Sequence, residues 1–440
     1  MTNFNDAKKP LGIWTLTALV LGNMVGSGIF LLPSDLAKLG GASLLAWIIT
    51  SLGALLLAMV LSRLSQLVRQ NGGPFAYARN GLGNFIAFQT VYSHWVAIWV
   101  GNLGLVIAFV GYLAMTWSIF SNPIVSVVAG IAVIWILTLV NVSGVRPAGI
   151  LQLVTVILKL TPIALLLIFG LWYFDVPHIE RLFDFSSQMR SGISSAASLT
   201  LWAFIGVESA VIPYSYVKNP HRNIPLATLI GTVLAALVYI LSTTIVIGIV
   251  PAAALQSGAS AFVVAAQMVF GSWGKWFMLG GALVSCFGCI NGWTLLQGQV
   301  AMAGAENNLF PVVFGIRNKK GVPAKGLIIT AVLESVILLL TLNKDMSSKF
   351  QLVVLMASLA ALLPYLYSSL AALVILKRQT GLVHVKDKIL FVMASLLTIY
   401  SFWMMSLCGT TVAFYGAIFI LTSALIYCWF YSDADNDSES

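Results

Sequence analysis

Three stretches of this chain, residues 80–145, 223–274 and 389–432, contain no Asp, Glu, Lys or Arg. A surface helix of a soluble domain carries polar residues on its outer face, whereas a helix crossing a bilayer needs about 20 apolar residues in succession. Each stretch is long enough for at least two such crossings. The whole chain agrees: 8% of its 440 residues are charged and 59% are hydrophobic, against roughly 25% charged in an ordinary soluble domain. So few charges cannot cover a soluble globule of this size, and disorder needs low hydrophobicity and high charge. The expected fold class is an all-α polytopic membrane protein. In lipid only helices and closed barrels satisfy their own backbone, and barrel strands would alternate in polarity where these runs do not.

Hydropathy marks twelve expected transmembrane helices, near 12–38, 43–66, 86–113, 123–142, 148–173, 194–216, 224–249, 274–304, 325–342, 350–376, 387–408 and 411–431. Basic residues collect on the cytoplasmic side of membrane proteins. With the N-terminus inside, sixteen Lys and Arg fall on that side and six outside, so both termini are expected in the cytoplasm. Residues 1–11 then form a cytoplasmic tail and 432–440 an acidic one. The first apolar stretch is long and lacks a small-residue cleavage site, so no cleavable signal peptide is expected.

The remaining features narrow the function. The net charge of +9 comes without an aromatic–basic patch, so nucleic acid is not an expected partner. Cys286 and Cys289 form a CxxC in an apolar stretch with no nearby His or Asp, which favours packing over metal or redox chemistry. The four histidines (His94, His178, His221, His384) are scattered, and no phosphate-binding G-x-x-x-x-G-K-[ST] is present, so no cofactor, metal or enzymatic activity is expected. A channel would need a charged or carbonyl-lined pore.

Two spans carry unusual backbone signals. The first contains GNMVGSGIF (22–30), and the sixth WAFIGVESA (202–210). Such segments invite the chain to leave the helix, and the freed groups are tolerated at depth only against protein or a water-filled cavity. Close helix packing through small residues is the other reading. The two segments hold corresponding places in two halves of five spans, which points to a transporter binding site. A substrate carboxylate would lie at Ser27–Gly28, and an ammonium at freed carbonyls around Asn23 and the Trp202–Ile205 stretch. Three charges stand mid-span: Lys159, Glu208 and Glu334. Such charges are costly and normally face a cavity or a partner.

GNMVGSGIFLLP, GGPFAYAR, TLWAFIGVESA, VKNPHRNIPLAT and NGWTLLQGQ resemble the amino acid–polyamine–organocation superfamily. They are most similar to its basic amino acid/polyamine antiporter branch, which includes arginine/agmatine, lysine/cadaverine and ornithine/putrescine exchangers. The resemblance runs from about residue 11 to 430. It implies a leucine-transporter-like fold, with a ten-helix core (12–376) of two inverted repeats, 12–173 and 194–376. Helices 1 and 6 are broken mid-membrane, and helices 11–12 (387–431) follow. It also implies a bacterial inner-membrane location and a homodimer. Gly26, Ser27 and Gly28 match the unwound segment that holds substrate, Trp202 an aromatic gate, and Asn102 a polar residue near the site. Trp293 matches an aromatic that stacks on the substrate's distal end, and Tyr365 a gate tyrosine. Ala357 stands where the arginine exchanger has a site hydroxyl. Glu208 matches an acid that couples pH to transport. His94 replaces a tyrosine, either as a titratable pocket residue or as a satisfied interior one. In broader members a lysine at the place of Lys159 substitutes for a sodium ion; here it is either a coupling group or a permanent brace against Gly22–Val25. Glu334 falls on a peripheral helix, where it would be a structural tertiary contact. The implied function is exchange of a basic amino acid for its decarboxylated amine or polyamine by alternating access. A proton-coupled amino-acid importer of broader specificity is the alternative.

Overall fold

A computed structural model describes residues 10–37, 39, 41–177, 189–251, 254, 260–340, 346–407 and 410–432. The N-terminal tail, the acidic tail, Cys408 and most of the external loop near 174–193 lie outside them. The described residues are helical throughout, the sole strand-like feature among them being an isolated bridge between Leu11 and Val217. Nine of their helices are long and apolar enough to cross a membrane. Three expected spans fall outside that number: the first is split in two, the ninth is 17 residues long, and the last contributes only the shorter apolar segment Gly416–Trp429.

The first span is α1 (Ile13–Met24) and α2 (Gly28–Ala37). Residues 25–27 between them are not helical, as the Gly-Ser-Gly signal predicts. There follow α3 (Gly41–Leu67), a short α4 (Pro74–Leu82), α5 (Asn84–Thr116), α6 (Pro123–Val142) and α7 (Val145–Gly170). The sixth span is α8 (Met189–Phe204), which ends at a break and continues as 3₁₀ turns at Val207–Ala210 and Tyr214–Tyr216. Gly206 sits at the break with φ of 116°, a left-handed conformation that strains any residue with a Cβ. The second half of this span is therefore not an α-helix. The remaining helices are α9 (Pro220–Ile249), α10 (Ala261–Phe270), α11 (Ser272–Ala305), α12 (Ala324–Leu340), α13 (Met346–Thr380), α14 (Val385–Leu407) and α15 (Thr410–Ser432).

The broken elements are held from all sides. α1 packs on α7, α9 and α11, and α5 lies against α11 and α13. Glycines permit the closest approaches: a Cβ on Gly231 of α9 would come within 2.7 Å of the Val20 side chain. The 3₁₀ half of span six is pinned at its far end. The Asn71 carboxamide bonds the Ser215 amide and hydroxyl at 2.8 and 2.9 Å, and the Gly72 amide donates to the Ile212 carbonyl at 3.0 Å. This accounts for GGPFAYAR, whose Gly72 and Gly73 adopt φ of 97° and 52° where the chain passes under residues 211–212. Leu11 bonds Tyr216 and Lys218 through its backbone, and the Tyr216 hydroxyl donates to the Gly321 carbonyl at 2.7 Å. These bonds tie the start of α1 to the end of the broken sixth span.

Apolar side chains cover the outside. Leu139, Ile157, Phe402 and Leu421 are all more than half exposed, on helix faces that meet lipid. Since α1 has room for hydrogen only at Gly231, Gly231→Val should overpack the contact and cost about 1–3 kcal/mol. A lowered thermal transition of the detergent-solubilised variant is the expected reading.

Candidate functional site

At the break in span one the backbone leaves the helix and releases its carbonyls at bilayer depth. The Lys159 ammonium, fully buried on α7, donates to the Gly22 carbonyl at 2.7 Å and also to that of Val25. The Ser285 hydroxyl of α11 is 3.0 Å from both the Val25 and Gly26 carbonyls. The Asn23 carbonyl accepts from the Trp293 indole and the Cys289 thiol, each at 3.1 Å. The Met24 carbonyl takes the Gly26 amide. The CxxC residues are therefore packing and hydrogen-bonding groups, and no metal-binding cluster is present among the described residues.

One expectation changes here. The Asn23 carbonyl was expected to be free for a substrate ammonium, but two donors already occupy its two lone pairs. The protein supplies the donors itself. The opposite polarity stays open. The first amides of a helix lack intrahelical acceptors, and those of α2 begin at Gly28. The Ser27 hydroxyl is buried and has no hydrogen-bond partner among the described residues. The break thus offers donors and a helix N-terminus, the environment a carboxylate prefers.

Trp202 and Trp293 wall this place. A Cβ on Gly28 would meet the Trp202 ring at 3.4 Å, and the two indole rings lie 6.0 Å apart with planes tilted by 45°. Ile205 is buried directly after the end of α8, and its amide returns to the Trp202 carbonyl at 3.3 Å. The Ala203 carbonyl accepts from the Tyr239 hydroxyl at 2.8 Å. The carbonyl end of α8, with its partial negative charge, faces the amide end of α2.

The Asn23 side chain joins the two breaks. Its Nδ2 donates to Ser209 Oγ at 3.0 Å and its Oδ1 accepts from Gln152 at 3.2 Å. Gln152 in turn accepts from Asn291 at 3.1 Å, and Asn291 from Asn141 at 3.2 Å. Sequence reasoning missed this chain of amides. Its signal was a set of Asn and Gln residues within spans, which are expensive in lipid unless mutually bonded.

Glu208 follows the second break and is buried between three elements. Its Oε1 lies 3.1 Å from His94 Nε2 of α5. Its Oε2 accepts from the Tyr365 hydroxyl of α13 at 2.7 Å and from the Gly206 amide at 3.2 Å. His94 is therefore neither isolated nor saturated: Nε2 faces the carboxylate, and Nδ1 has no partner among the described residues. Tyr365, expected as a gate, holds Glu208.

Asn102 faces α11 and α12. Its Nδ2 is 3.1 Å from Gln297 Oε1, 3.4 Å from Glu334 Oε1 and 3.5 Å from Thr294 Oγ1. The reading of Glu334 as a tertiary contact holds, but the residue points inward and is buried. Ala357 is buried on α13 and brings no polar atom to the site.

Removing the Lys159 ammonium strands the Gly22 carbonyl, while Ser285 still serves Val25. Lys159→Met should therefore destabilise the fold by about 1–3 kcal/mol, and transport should fall with it. Thermal unfolding and uptake measured on the same preparation would check this.

Interrupted helices facing one another, an aromatic wall and a buried acid describe a carrier site. Comparison with known proteins agrees. Residues 11–433 match the amino acid permease family. The cadaverine/lysine antiporter of Escherichia coli (strain K12) is 34% identical over 369 residues, 82% of this chain and 83% of that protein. The putrescine transporter PotE of the same strain is 32% identical over 419 residues, 95% of each chain. The putrescine transporter PotE of Haemophilus influenzae is 30% identical over 425 residues, 95% of this chain and 96% of that one. With its broken helices inside a match that spans nearly its whole length, this integral membrane protein belongs to the amino acid permease family.

Proposed function

We propose that the protein is a secondary transporter that exchanges a basic amino acid for its decarboxylated amine across the bacterial inner membrane. The observation that carries this reading is the opposed pair of helix ends. Amides at the start of α2 suit a carboxylate, and carbonyls at the end of α8 suit an ammonium, so the two together fit an α-amino acid. The wall formed by Trp202 and Trp293 fits a long aliphatic or cationic side chain, with cation–π attraction of about 0.5–2 kcal/mol. A diamine lacks the carboxylate but keeps the ammonium and the chain. The relatives, one named for lysine and cadaverine and two for putrescine, support this substrate class. The antiporter relative favours exchange over proton-driven import.

Alternating access requires that substrate stabilise the inward and outward states differently. In our reading α1–α2 with the following four spans, and α8 with its 3₁₀ continuation and the following four, are inverted repeats of a twelve-helix protein. Both termini are then cytoplasmic. The two breaks form the hinge, and Trp202 is the gate over bound substrate. Lys159 braces the span-one hinge, and Glu208 with His94 and Tyr365 forms the proton-sensitive junction at the other. Protonating Glu208 would weaken its ties to His94 and to the Gly206 amide, loosening the second break from α5.

Reconstituted vesicles test the exchange. Uptake of labelled lysine or ornithine should require internal lysine, ornithine or the corresponding diamine; uptake into empty vesicles driven by a pH gradient would instead establish import. Glu208→Gln should keep exchange but flatten its pH profile, and a profile of unchanged shape would remove the proton role of Glu208.

A further inference from the structure

We infer that Glu334 is a specificity-determining positioning residue, which orients the Asn102 amide and backs it with negative charge so that its carbonyl oxygen receives the distal ammonium of the substrate. The inference rests on the proposed exchange of basic amino acids and diamines, and it supplies the acidic group that recognition of a second ammonium requires.

The placement follows from two helices. On α11, Trp293 and Gln297 are four residues apart and share a face, with Thr294 beside them. On α5, Gly101 lets the Trp293 ring lie directly on the backbone, since a Cβ there would come within 2.5 Å of the ring. Asn102, the next residue, reaches Thr294, which follows Trp293 on α11, and so lies beside the ring whose other neighbour is Trp202. A side chain that starts at the α2 amides and passes these two rings ends beside Asn102.

The chemistry of that end is set by three acceptors. Gln297 Oε1, Glu334 Oε1 and Thr294 Oγ1 all surround Asn102 Nδ2, at 3.1, 3.4 and 3.5 Å. The amide is thereby oriented, and its Oδ1 is left buried without a partner among the described residues. An ammonium only donates, and a carbonyl oxygen only accepts. Gln297 Nε2 is also without a partner among the described residues. A water can satisfy that donor, but a water does not neutralise a carboxylate. Glu334 is buried, and its carboxyl bonds the neutral Asn102 amide. At this depth a carboxylate stays ionised only beside a counter-charge, and the second ammonium of the substrate provides one that a neutral side chain cannot.

Lysine and norleucine differ only by the terminal ammonium, so their affinity ratio isolates this contact. Kd values for lysine, norleucine and cadaverine would be measured by calorimetry on purified wild-type protein and variants, with KM and kcat for exchange in vesicles. In Glu334→Gln the preference for lysine over norleucine should fall by about ten-fold or more, mainly through KM, with norleucine binding retained. Glu334→Asp, which keeps the charge, should restore much of the preference. A wild type that prefers lysine, combined with an unchanged ratio in Glu334→Gln, would overturn the inference and leave the proposed exchange standing. A wild type that does not distinguish lysine from norleucine would overturn both. Should Glu334→Gln fail to fold, Asn102→Leu reads the same contact from the other side: loss of the lysine preference supports the inference, and its retention refutes it.

Discussion

The carbonyl oxygens released where the first helix breaks constrain everything around them. At bilayer depth no water replaces a lost intrahelical bond, so each free oxygen needs a donor from the protein. Lys159, Ser285, Cys289 and Trp293 supply these donors from α7 and α11. The consequence is directional. The carbonyl side of the break is consumed by the fold, and the amide side at α2 is left for a ligand. Lys159 holds the Gly22 and Val25 carbonyls from α7. In the proposed exchange the same buried charge would favour an anionic group at the break.

The second break is organised differently. It is closed by a carboxylate, since Glu208 accepts from the Gly206 amide and from Tyr365 and touches His94. Asn23 bonds Ser209 across the gap, and Ser209 donates to the Gly206 carbonyl at 2.5 Å. The hinges are therefore coupled through one amide side chain. In the proposed mechanism a change of protonation at Glu208 would act on Gly206 and, through Ser209 and Asn23, on the first break. Coupling of this kind requires an element with two arrangements that both sites bias. The 3₁₀ continuation of span six is suited to be that element, because its hydrogen-bond geometry is poorer than that of an α-helix.

Much of this was legible in the sequence because glycine and charge are rare signals inside lipid. Gly26, Ser27 and Gly28 mark the first break, and a lysine a dozen residues into span five points to a partner such as the freed carbonyls of Gly22–Val25. Gly206 marked the second break. What followed it was not legible, since VESAVIPYSY is compatible with either α or 3₁₀ turns and only the contacts from Asn71 and Gly72 decide. The short helices α4 and α10 were missed for a related reason: they are too short to register as spans. Directions were hardest to read. Most faces of a buried membrane helix are apolar, so periodicity does not say which way Glu334, Asn102 or His94 points. The pairing of His94 with Glu208 joins residues 114 apart in sequence, and nothing local to either announces it.

Three mid-span charges divide the work by their partners. Lys159 is neutralised by backbone dipoles, which do not leave, and so it braces. Glu208 is shared among a histidine, a phenol and an amide, and in the proposed mechanism it is the proton-sensitive group. Glu334 bonds the neutral Asn102 amide. In our inference its counter-charge is the distal ammonium of the substrate. The scarcity of charge that places this chain in a membrane also gives each remaining charge a separable task.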